Sequence, residues 1–233
     1  MKFFLKTSVF IFGLVLFHIS TLLSSEYLYE IFYGPFKVGE AKIIINSSKY
    51  TGIVYTVGIG NTIFPYYAQW ETWVDERGYP KKTIIYSKEK EKERQKMLIF
   101  EAQKTLVRYQ KLLPKKRPEK TFSLSFPLYD ELSSFIASWR LNYSLGKTYQ
   151  LPLYVEGEKH FVEIKLSKEG VCEFETQKLN CLELQVLLPQ KSELLKRSHK
   201  VFVLLSKEKK YPLELRGELP IIGTLVGKIK HLN

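Results

Sequence analysis

The chain has 233 residues, of which 36 are Lys or Arg and 24 are Asp or Glu, and it is 45% hydrophobic and 14% aromatic. This composition excludes an intrinsically disordered protein, because disordered chains carry too little apolar surface to offset the entropy lost on folding. Only the first 25 residues contain an apolar run that approaches the roughly 20 residues of a membrane span, which excludes a multi-pass membrane protein.

The N-terminus has the order of charged, apolar and small residues that marks a secretory signal. Lys2 and Lys6 form a positive segment, Val9–Phe17 is an uninterrupted apolar run, and the small residues Ser24 and Ser25 follow. We therefore expect residues 1–25 to be a cleavable signal peptide and the rest of the chain to be exported. The alternative is an uncleaved membrane anchor, for which this apolar stretch is short.

The net charge of +12 includes the two lysines of the expected signal, so residues 26–233 carry 34 basic and 24 acidic side chains, or +10. A basic exported protein is attracted to anionic lipid headgroups and envelope polymers, and we expect no nucleic-acid partner. The alternative is that Lys and Glu only make a heat-adapted surface. The alternating charges of Lys88–Arg94 favour this alternative and predict a solvated strand or hairpin and not a binding patch, whereas Pro114–Lys120 predicts an exposed basic loop.

The two cysteines, Cys172 and Cys181, are close in sequence. In an oxidising compartment they would join the strands of a β-hairpin with its turn at Lys178–Asn180, a disulfide worth about 2–3 kcal/mol. Two free thiols are the alternative. A metal site would need further ligands at suitable spacing, and we expect no metal because the neighbouring sequence has none.

Most of the chain after the expected signal alternates between apolar and polar residues. Tyr27, Tyr29 and Ile31 fall on one face of an extended segment, and further such runs recur at about 8–12 residue intervals. Some runs, such as Val201–Leu205, are apolar on both faces, which fits a curled sheet whose concave face meets a core, a hollow or a helix. We predict a single mainly β domain over residues 26–233, with one curled antiparallel sheet or half-open β-barrel.

One segment breaks the alternation. Over residues 128–141 the apolar side chains follow helical spacing, at Leu128, Leu132, Phe135, Ile136 and Trp139. Asp130 in the first turn and Arg140 in the last turn suit the helix dipole. We expect one helix over about 128–141, of about three turns, on the concave face of the sheet.

Residues that support catalysis are scarce. Outside the expected signal the histidines are His160, His199 and His231, and no nucleophile elbow, zinc-protease motif or phosphate loop occurs. Ser133 and Ser134 lie on the predicted helix and fit a structural role. We expect a non-catalytic protein without a cofactor; a hydrolase would require one of these histidines to meet a serine and an acid in space.

Aromatic residues are abundant and concentrate in Ile63–Trp73. Aromatic side chains with a polar group suit the mouth of a pocket, and they equally suit an ordinary core. We take as candidate ligand contacts five aromatic residues: Tyr66, Trp70, Trp73, Phe135 and Trp139. Trp70 and Trp73 are three apart and fall on opposite strand faces, so at most one of them can face a cavity.

Four short motifs, in order, resemble an exported bacterial family known as a domain of unknown function, DUF3108. Leu28–Ala41 resembles its opening strand pair, and Trp73–Pro80 its "vD-x-x-G-x-P" hairpin. Asp130–Arg140 is similar to its "D-x-L-S … R" helix, and Tyr211–Leu215 before Gly223 to its closing strands. The resemblance spans nearly all of the chain after the expected signal.

The resemblance implies export to the periplasm or outer envelope, and it supplies no activity and no catalytic residues. Within its motifs we expect structural roles for Gly39 at a turn or bulge, for Asp130 as a helix cap and for Arg140 in an ion pair with a strand carboxylate. By analogy of fold, a curled sheet with a helix on its concave face resembles periplasmic carriers of lipoproteins and lipids.

Two functions therefore stay open. The first is a periplasmic protein that binds a lipid or acyl-bearing envelope component, such as a lipoprotein, in an apolar groove and contacts anionic membrane surfaces. The second is an envelope assembly or scaffold protein that binds a protein partner through its sheet edges. A hollow concave side would favour the first function and a filled one the second. The sequence does not indicate an oligomeric state.

Overall fold

The computed structural model describes residues 24–189, 200–219 and 223–232, with the side chains of residues 219, 231 and 232 left aside. The predicted signal peptide and His199 lie outside this range, apart from Ser24 and Ser25. Fourteen strands and two α-helices make up the regular structure of the described residues. In chain order they are β1 Ser25–Tyr33, β2 Phe36–Ile45, β3 Lys49–Thr56, α1 Gly58–Ile63, β4 Tyr66–Val74, β5 Pro80–Glu89, β6 Lys92–Glu101, β7 Leu106–Leu113, β8 Lys120–Ser123, α2 Glu131–Ser138, β9 Thr148–Val155, β10 Glu158–Phe174, β11 Gln177–Leu187, β12 Lys200–Ser206, β13 Pro212–Leu219 and β14 Gly223–Leu232.

All the strands belong to one antiparallel sheet, which confirms the predicted fold class. Their order is β8-β7-β6-β5-β4-β3-β2-β1-β14-β13-β12-β11-β10-β9. Apart from β8 and β9, each strand pairs with its neighbours in sequence, and one further ladder joins β1 to β14 near the two ends of the chain. The two edges of the sheet, β8 and β9, are therefore successive strands, separated in sequence by the segment that contains α2.

The sheet curls until its two edges overlap, and it is not closed into a barrel by a β8–β9 ladder. Strand β9 is buried on both faces: Leu151 and Leu153 face the main core, while Tyr154 packs into a second cluster with Phe100 and Phe122 from the other edge. Residues 128–130 run along the outer edge of β9, where the Tyr129 amide donates to the Pro152 carbonyl and the Tyr154 amide to the Tyr129 carbonyl. Side-chain packing thus seals the seam.

Helix α2 lies on the concave face, as predicted, and fills one end of the curl. Its side chains Leu132 and Ile136, and Trp139 just after it, are buried in the main core. Gly52 of β3 gives this helix room, because a Cβ there would approach a Leu132 methyl carbon to 3.2 Å. The helix covers about two turns rather than the predicted three, since Asp130 takes the N-cap and Trp139 the C-cap.

Asp130 ties α2 to the sheet. Its side chain accepts the Ser133 amide at 2.7 Å, while the Asp130 amide donates back to the Ser133 hydroxyl, which makes a capping box. The other carboxyl oxygen accepts the hydroxyls of Thr72, at 2.5 Å, and Thr83. All four residues are almost fully buried, and Thr72 and Thr83 are opposite each other on β4 and β5.

The disulfide between Cys172 and Cys181 is present, with the two Cα atoms 5.8 Å apart. It joins β10 to β11 as predicted, but the predicted turn at Lys178–Asn180 is wrong. The chain turns at Glu175–Thr176 instead, with Glu175 at a positive φ of 54°. Residues 178–180 continue β11, because the apolar side chain of Leu179 is buried against the core.

The sequence did not predict α1, whose six residues follow β3 and carry no buried side chain. The charged run Lys88–Arg94 does form a hairpin, and residues 114–119 form an exposed loop, as predicted. In the described part of the chain, no helix has both the length and the apolar character that a membrane crossing requires.

Replacing Asp130 by Ala should lower the free energy of unfolding by about 3–5 kcal/mol, because a helix cap is lost and two buried hydroxyls lose their acceptor. Asp75 is the matched control: it accepts the amides of Arg77 and Tyr79 in an exposed turn, each at 2.9 Å. Asp75→Ala should cost about 1 kcal/mol. Urea unfolding of both variants measures the difference, and equal losses would contradict the proposed anchor.

Candidate ligand-binding surface

The two ends of the curled sheet differ in what they contain. At one end, α2 covers the concave face. The opposite end, called here the open end, includes, among the described residues, the β1–β2 turn, residues 57–65 with α1, the β5–β6 turn, loop 114–119 and the β9–β10 turn. The described residues place no helix over the concave face at the open end, since α1 packs against β2 at the rim.

A row of apolar residues crosses the concave face at the open end. Cross-strand pairing places its members side by side on β11, β12, β13, β14 and β1, in the order Val186, Val201, Gly217, Leu225 and Tyr33. They share a face with buried core residues two positions along each strand, such as Leu184 and Val203. Unlike those core residues, none of the row is fully buried, and Tyr33 is 41% exposed.

Two glycines on the concave face show the difference between the ends directly. At Gly52, near α2, an added Cβ would touch Leu132, whereas at Gly217, in the apolar row, it would meet no atom within 4 Å. Neither glycine has a positive φ that would itself restrict substitution. No atom of residues 24–189, 200–219 or 223–232 therefore fills the space above Gly217, and its neighbours in the row are apolar.

The rim of the open end exposes large apolar side chains. Phe36 beside the β1–β2 turn is 58% exposed, and on α1 Ile59 and Ile63 are 51% and 72% exposed. Scattered exposed apolar residues are common on proteins, but here three lie on two neighbouring elements at one end of the sheet. Such a rim suits contact with an apolar ligand or a membrane surface.

The rim is held firmly to the sheet. Lys37 bridges Glu30 and Glu40 on the convex face, at 2.8 and 2.5 Å, and the hydrogen bonds from Lys37 hold the pKa of both carboxyls below the usual range. Helix α1 packs closely on β2, because a Cβ at Gly60 would clash with the Val38 carbonyl. The rim residues are thus exposed although the segments that carry them are packed against the sheet.

The structure does not bring the five aromatic candidates together in one site. Trp70 and Trp139 are buried in the main core, and Phe135 packs edge-on against Trp139. Trp73 lies on the convex face, between the amino groups of Lys49 and Lys82. Tyr66 is half-buried near the open end and stacks on Phe64. Trp70 and Trp73 do point to opposite faces, as predicted.

Two of the three residues predicted to have structural roles, Gly39 and Asp130, have the predicted surroundings. Gly39 lies at a bulge between β1 and β2, where a Cβ would come within 2.9 Å of the Tyr55 carbonyl oxygen. Asp130 caps α2. The predicted ion pair of Arg140 is not found: Arg140 follows the end of α2, its side chain is exposed, and no carboxylate of the described residues pairs with it. The helix ends before Arg140 because Trp139 turns into the core.

The described residues do not assemble a catalytic serine site. His160 is the one histidine whose side chain is described, and its Nε2 lies 3.2 Å from a Glu158 oxygen. Ser133 is engaged in the capping box. Within the described ranges, no three His, Cys, Asp or Glu side chains group as metal ligands.

The sequence reasoning missed the residues that now define the open end, namely the row through Gly217 and the rim residues Phe36, Ile59 and Ile63. The strands of the row alternate apolar and polar residues as any half-buried strand does. Only the position of α2 therefore reveals which end of the concave face it leaves uncovered. A signal was available for the rim, because Ile59 and Ile63 are apolar residues in a segment rich in glycine and polar residues.

A family model described as "Protein of unknown function (DUF3108)" matches residues 28–230. The chain belongs to this family. The match runs from within β1 to within β14, so the features of the open end all lie within the DUF3108 domain. A search of curated proteins found no match.

Among solved structures, the DUF3108 chain is similar to a "beta-barrel-like" protein of the DUF1849 domain of unknown function from Brucella abortus. The identity is 12%, the TM-score is 0.56, and the match covers 91% of this chain and 98% of that one. A DUF1089 family protein from Pseudomonas aeruginosa matches with 10% identity and a TM-score of 0.40 over 80% and 91% of the two chains. The first likeness supports a barrel-like fold and nothing beyond it.

The contrast between the two glycines can be measured by substituting each with Leu. Gly52→Leu should lower the free energy of unfolding by about 1–3 kcal/mol, because the added side chain overpacks the contact with Leu132. Gly217→Leu should change it by less than about 0.5 kcal/mol, as expected for a site outside the packed core. Thermal or urea unfolding measures both, and a large loss for Gly217→Leu would show that the open end is packed.

Proposed function

We propose that this DUF3108 protein is an exported, non-catalytic binding protein that holds the acyl part of a lipid or acyl-bearing envelope component on the concave face at its open end. The observation that carries the proposal is that no described residue fills the space above Gly217, which lies within a row of half-exposed apolar residues. An acyl chain laid on this row would remove apolar surface from water, at about 25 cal/mol per Å² buried.

The rim supports the same function. A ligand that enters from a membrane has to cross the edge of the open end, where Phe36, Ile59 and Ile63 are exposed. Lys115, Lys116 and other exposed cations of loop 114–119 lie at this end too, and basic residues attract an anionic membrane surface. The net charge of residues 26–233, +10, is positive like this loop and adds to the attraction to an anionic surface.

The geometry gives less support to binding of a protein partner through the sheet edges. Strand β8 has four residues, and its apolar side chain Phe122 packs against the other edge near Gly157. The outer edge of β9 already makes backbone hydrogen bonds with Tyr129. A partner strand would have to displace residues 128–130 and with them the cap of α2, which makes strand addition costly.

Export can be tested separately through the disulfide. Expressed with residues 1–25, the protein should appear in the periplasmic fraction, start at Glu26 by N-terminal sequencing, and resist thiol alkylation until reduced, because an oxidising compartment forms the Cys172–Cys181 bond. A chain that retains residues 1–25 in the membrane fraction would contradict cleavage, and alkylated thiols would contradict oxidation.

The function itself predicts that the protein carries lipid. Protein purified from a bacterial periplasm and extracted into organic solvent should release acyl-bearing molecules, detected by mass spectrometry, in amounts comparable to the protein. After delipidation it should bind dodecyl maltoside below its critical micelle concentration, a probe with an acyl-like chain and no charge. An empty extract together with no binding of the probe would overturn the proposal.

Two Leu substitutions locate the binding surface. Gly217→Leu fills the open space on the concave face and should weaken binding of dodecyl maltoside at least about fivefold, since the probe loses apolar contact. Gly170→Leu is the matched control, because a Cβ at Gly170 also meets no atom within 4 Å but lies on the β10–β11 hairpin. Equal binding by both variants would place the ligand elsewhere.

A further inference from the structure

A small pocket with an unusual charge lies on the concave face near the open end. Its volume is about 200 Å³, and strands β5, β6 and β7 form its walls. Three of the lining side chains are cations, Arg94, Lys96 and Lys111. A pocket for a whole drug-sized ligand has about 300–1,000 Å³, so this one suits a single polar group.

Strand pairing shows that these cations share the concave face. Lys96 is opposite Ile85 of β5, a buried core residue, and it is opposite Lys111 of β7 on its other side. Arg94 is opposite Ser87, which is itself opposite the fully buried Ala68. The basic side chains therefore point inward, on the same face as the apolar row.

Two of the cations have no carboxylate partner among the described residues. Lys96 and Lys111 are directly opposite each other on β6 and β7, so their positive charges lie close together. Neither Arg94 nor Lys111 forms an ion pair with a described carboxylate, whereas Lys37, Lys42 and Lys49 of the same sheet do so. A bound anion would supply the negative charge that Arg94 and Lys111 lack.

Two other polar side chains of the pocket can also donate hydrogen bonds. The hydroxyls of Ser87 and Tyr109 lie on the same face as the cations and line the pocket with them. The pairing of β6 with β7 shifts register at Gln95, which brings Gln95 and Leu113 to the pocket next to Lys96 and Lys111. Bulges of this kind often re-aim side chains beside binding sites.

We propose that this pocket binds the phosphate group, or a comparable oxyanion, of an anionic amphiphile. Arg94 would supply a planar fork of donors that matches phosphate geometry, and Lys96 and Lys111 would supply point charges. The inference rests on the proposed function for its source of phosphate, a lipid headgroup whose chain lies on the apolar row. The same chemistry would also bind free phosphate, which the experiment distinguishes.

The test compares three probes on the full chain after delipidation: dodecyl phosphate, dodecyl maltoside and inorganic phosphate, each titrated calorimetrically below micelle formation. Dodecyl phosphate should bind more tightly than dodecyl maltoside. The double variant Arg94→Gln/Lys111→Gln should weaken dodecyl phosphate at least about tenfold and leave dodecyl maltoside unchanged, because hydrogen bonds to charged groups are the strong ones.

The matched control is Lys165→Gln/Lys168→Gln, which removes the same charge from exposed positions on β10. It should leave the affinity for dodecyl phosphate within about twofold, because long-range charge is screened by salt. The charge-conserving variant Arg94→Lys/Lys111→Arg should retain most of the binding. Unfolding curves of all variants show whether each is folded.

The outcomes separate the two proposals. If dodecyl maltoside binds but the Arg94 and Lys111 variant binds dodecyl phosphate like the wild type, the phosphate pocket is wrong and the proposed function stands. If inorganic phosphate binds as tightly as dodecyl phosphate and loses affinity in the variant, the pocket is right with free phosphate as its source, and dodecyl maltoside then decides the proposed function. Loss of affinity in the control variant as large as in the pocket variant would overturn the pocket.

Discussion

The buried hydrogen bonds of Asp130 determine how the rest of the molecule is arranged. A short helix of eight residues has little stability of its own, so its place depends on the contacts that hold it. Asp130 caps the helix and at the same time accepts two hydroxyls, Thr72 and Thr83, from adjacent strands. Because these groups are buried, a sheet that lost the helix would leave them without an acceptor, at a cost of about 1–3 kcal/mol for each. The capped helix is therefore fixed at one end of the concave face.

That placement makes the two ends of the sheet unequal. Near α2 the concave face is filled by Leu132, Ile136 and Trp139, and Gly52 is the residue that lets the helix approach. At the other end the same strands continue with no covering element among the described residues, and their concave side chains are only partly buried. A single antiparallel meander usually buries one face along its whole length. Here the uncovered part has an apolar row and a cationic pocket. These two features are complementary to the apolar chain and the anionic headgroup of an amphiphile.

Much of the fold could be predicted from the sequence. The alternation of Tyr27, Tyr29 and Ile31 predicted a strand, and the helical spacing from Leu132 to Trp139 predicted a helix. The two cysteines, close in sequence, predicted the disulfide across a hairpin. These features depend on local periodicity and on pairs close in sequence. The turn of that hairpin was misplaced, since Leu179 is held in the strand by packing that the local sequence does not show.

The candidate site was much harder to predict. The aromatic residues chosen from the sequence lie mainly in the core or on the convex face. Composition does not show which face of a curled sheet a strand residue occupies, because this depends on the register of the strands. Gly217 is far in sequence from Arg94 and Lys111, and the role proposed for each of them depends on which residues lie opposite it across the sheet. Arg140 lies outside the helix for a related reason: α2 ends at Ser138, before the predicted end at residue 141.

Hydrogen–deuterium exchange with and without dodecyl maltoside decides whether a ligand binds at the end of the concave face that α2 does not fill, since exchange reports where a bound molecule slows the opening of backbone amides. We expect slower exchange at the open end, in residues 31–39, 54–66 and 200–203, with α2 unchanged. Slower exchange confined to α2 and its neighbours would place the ligand at the filled end instead.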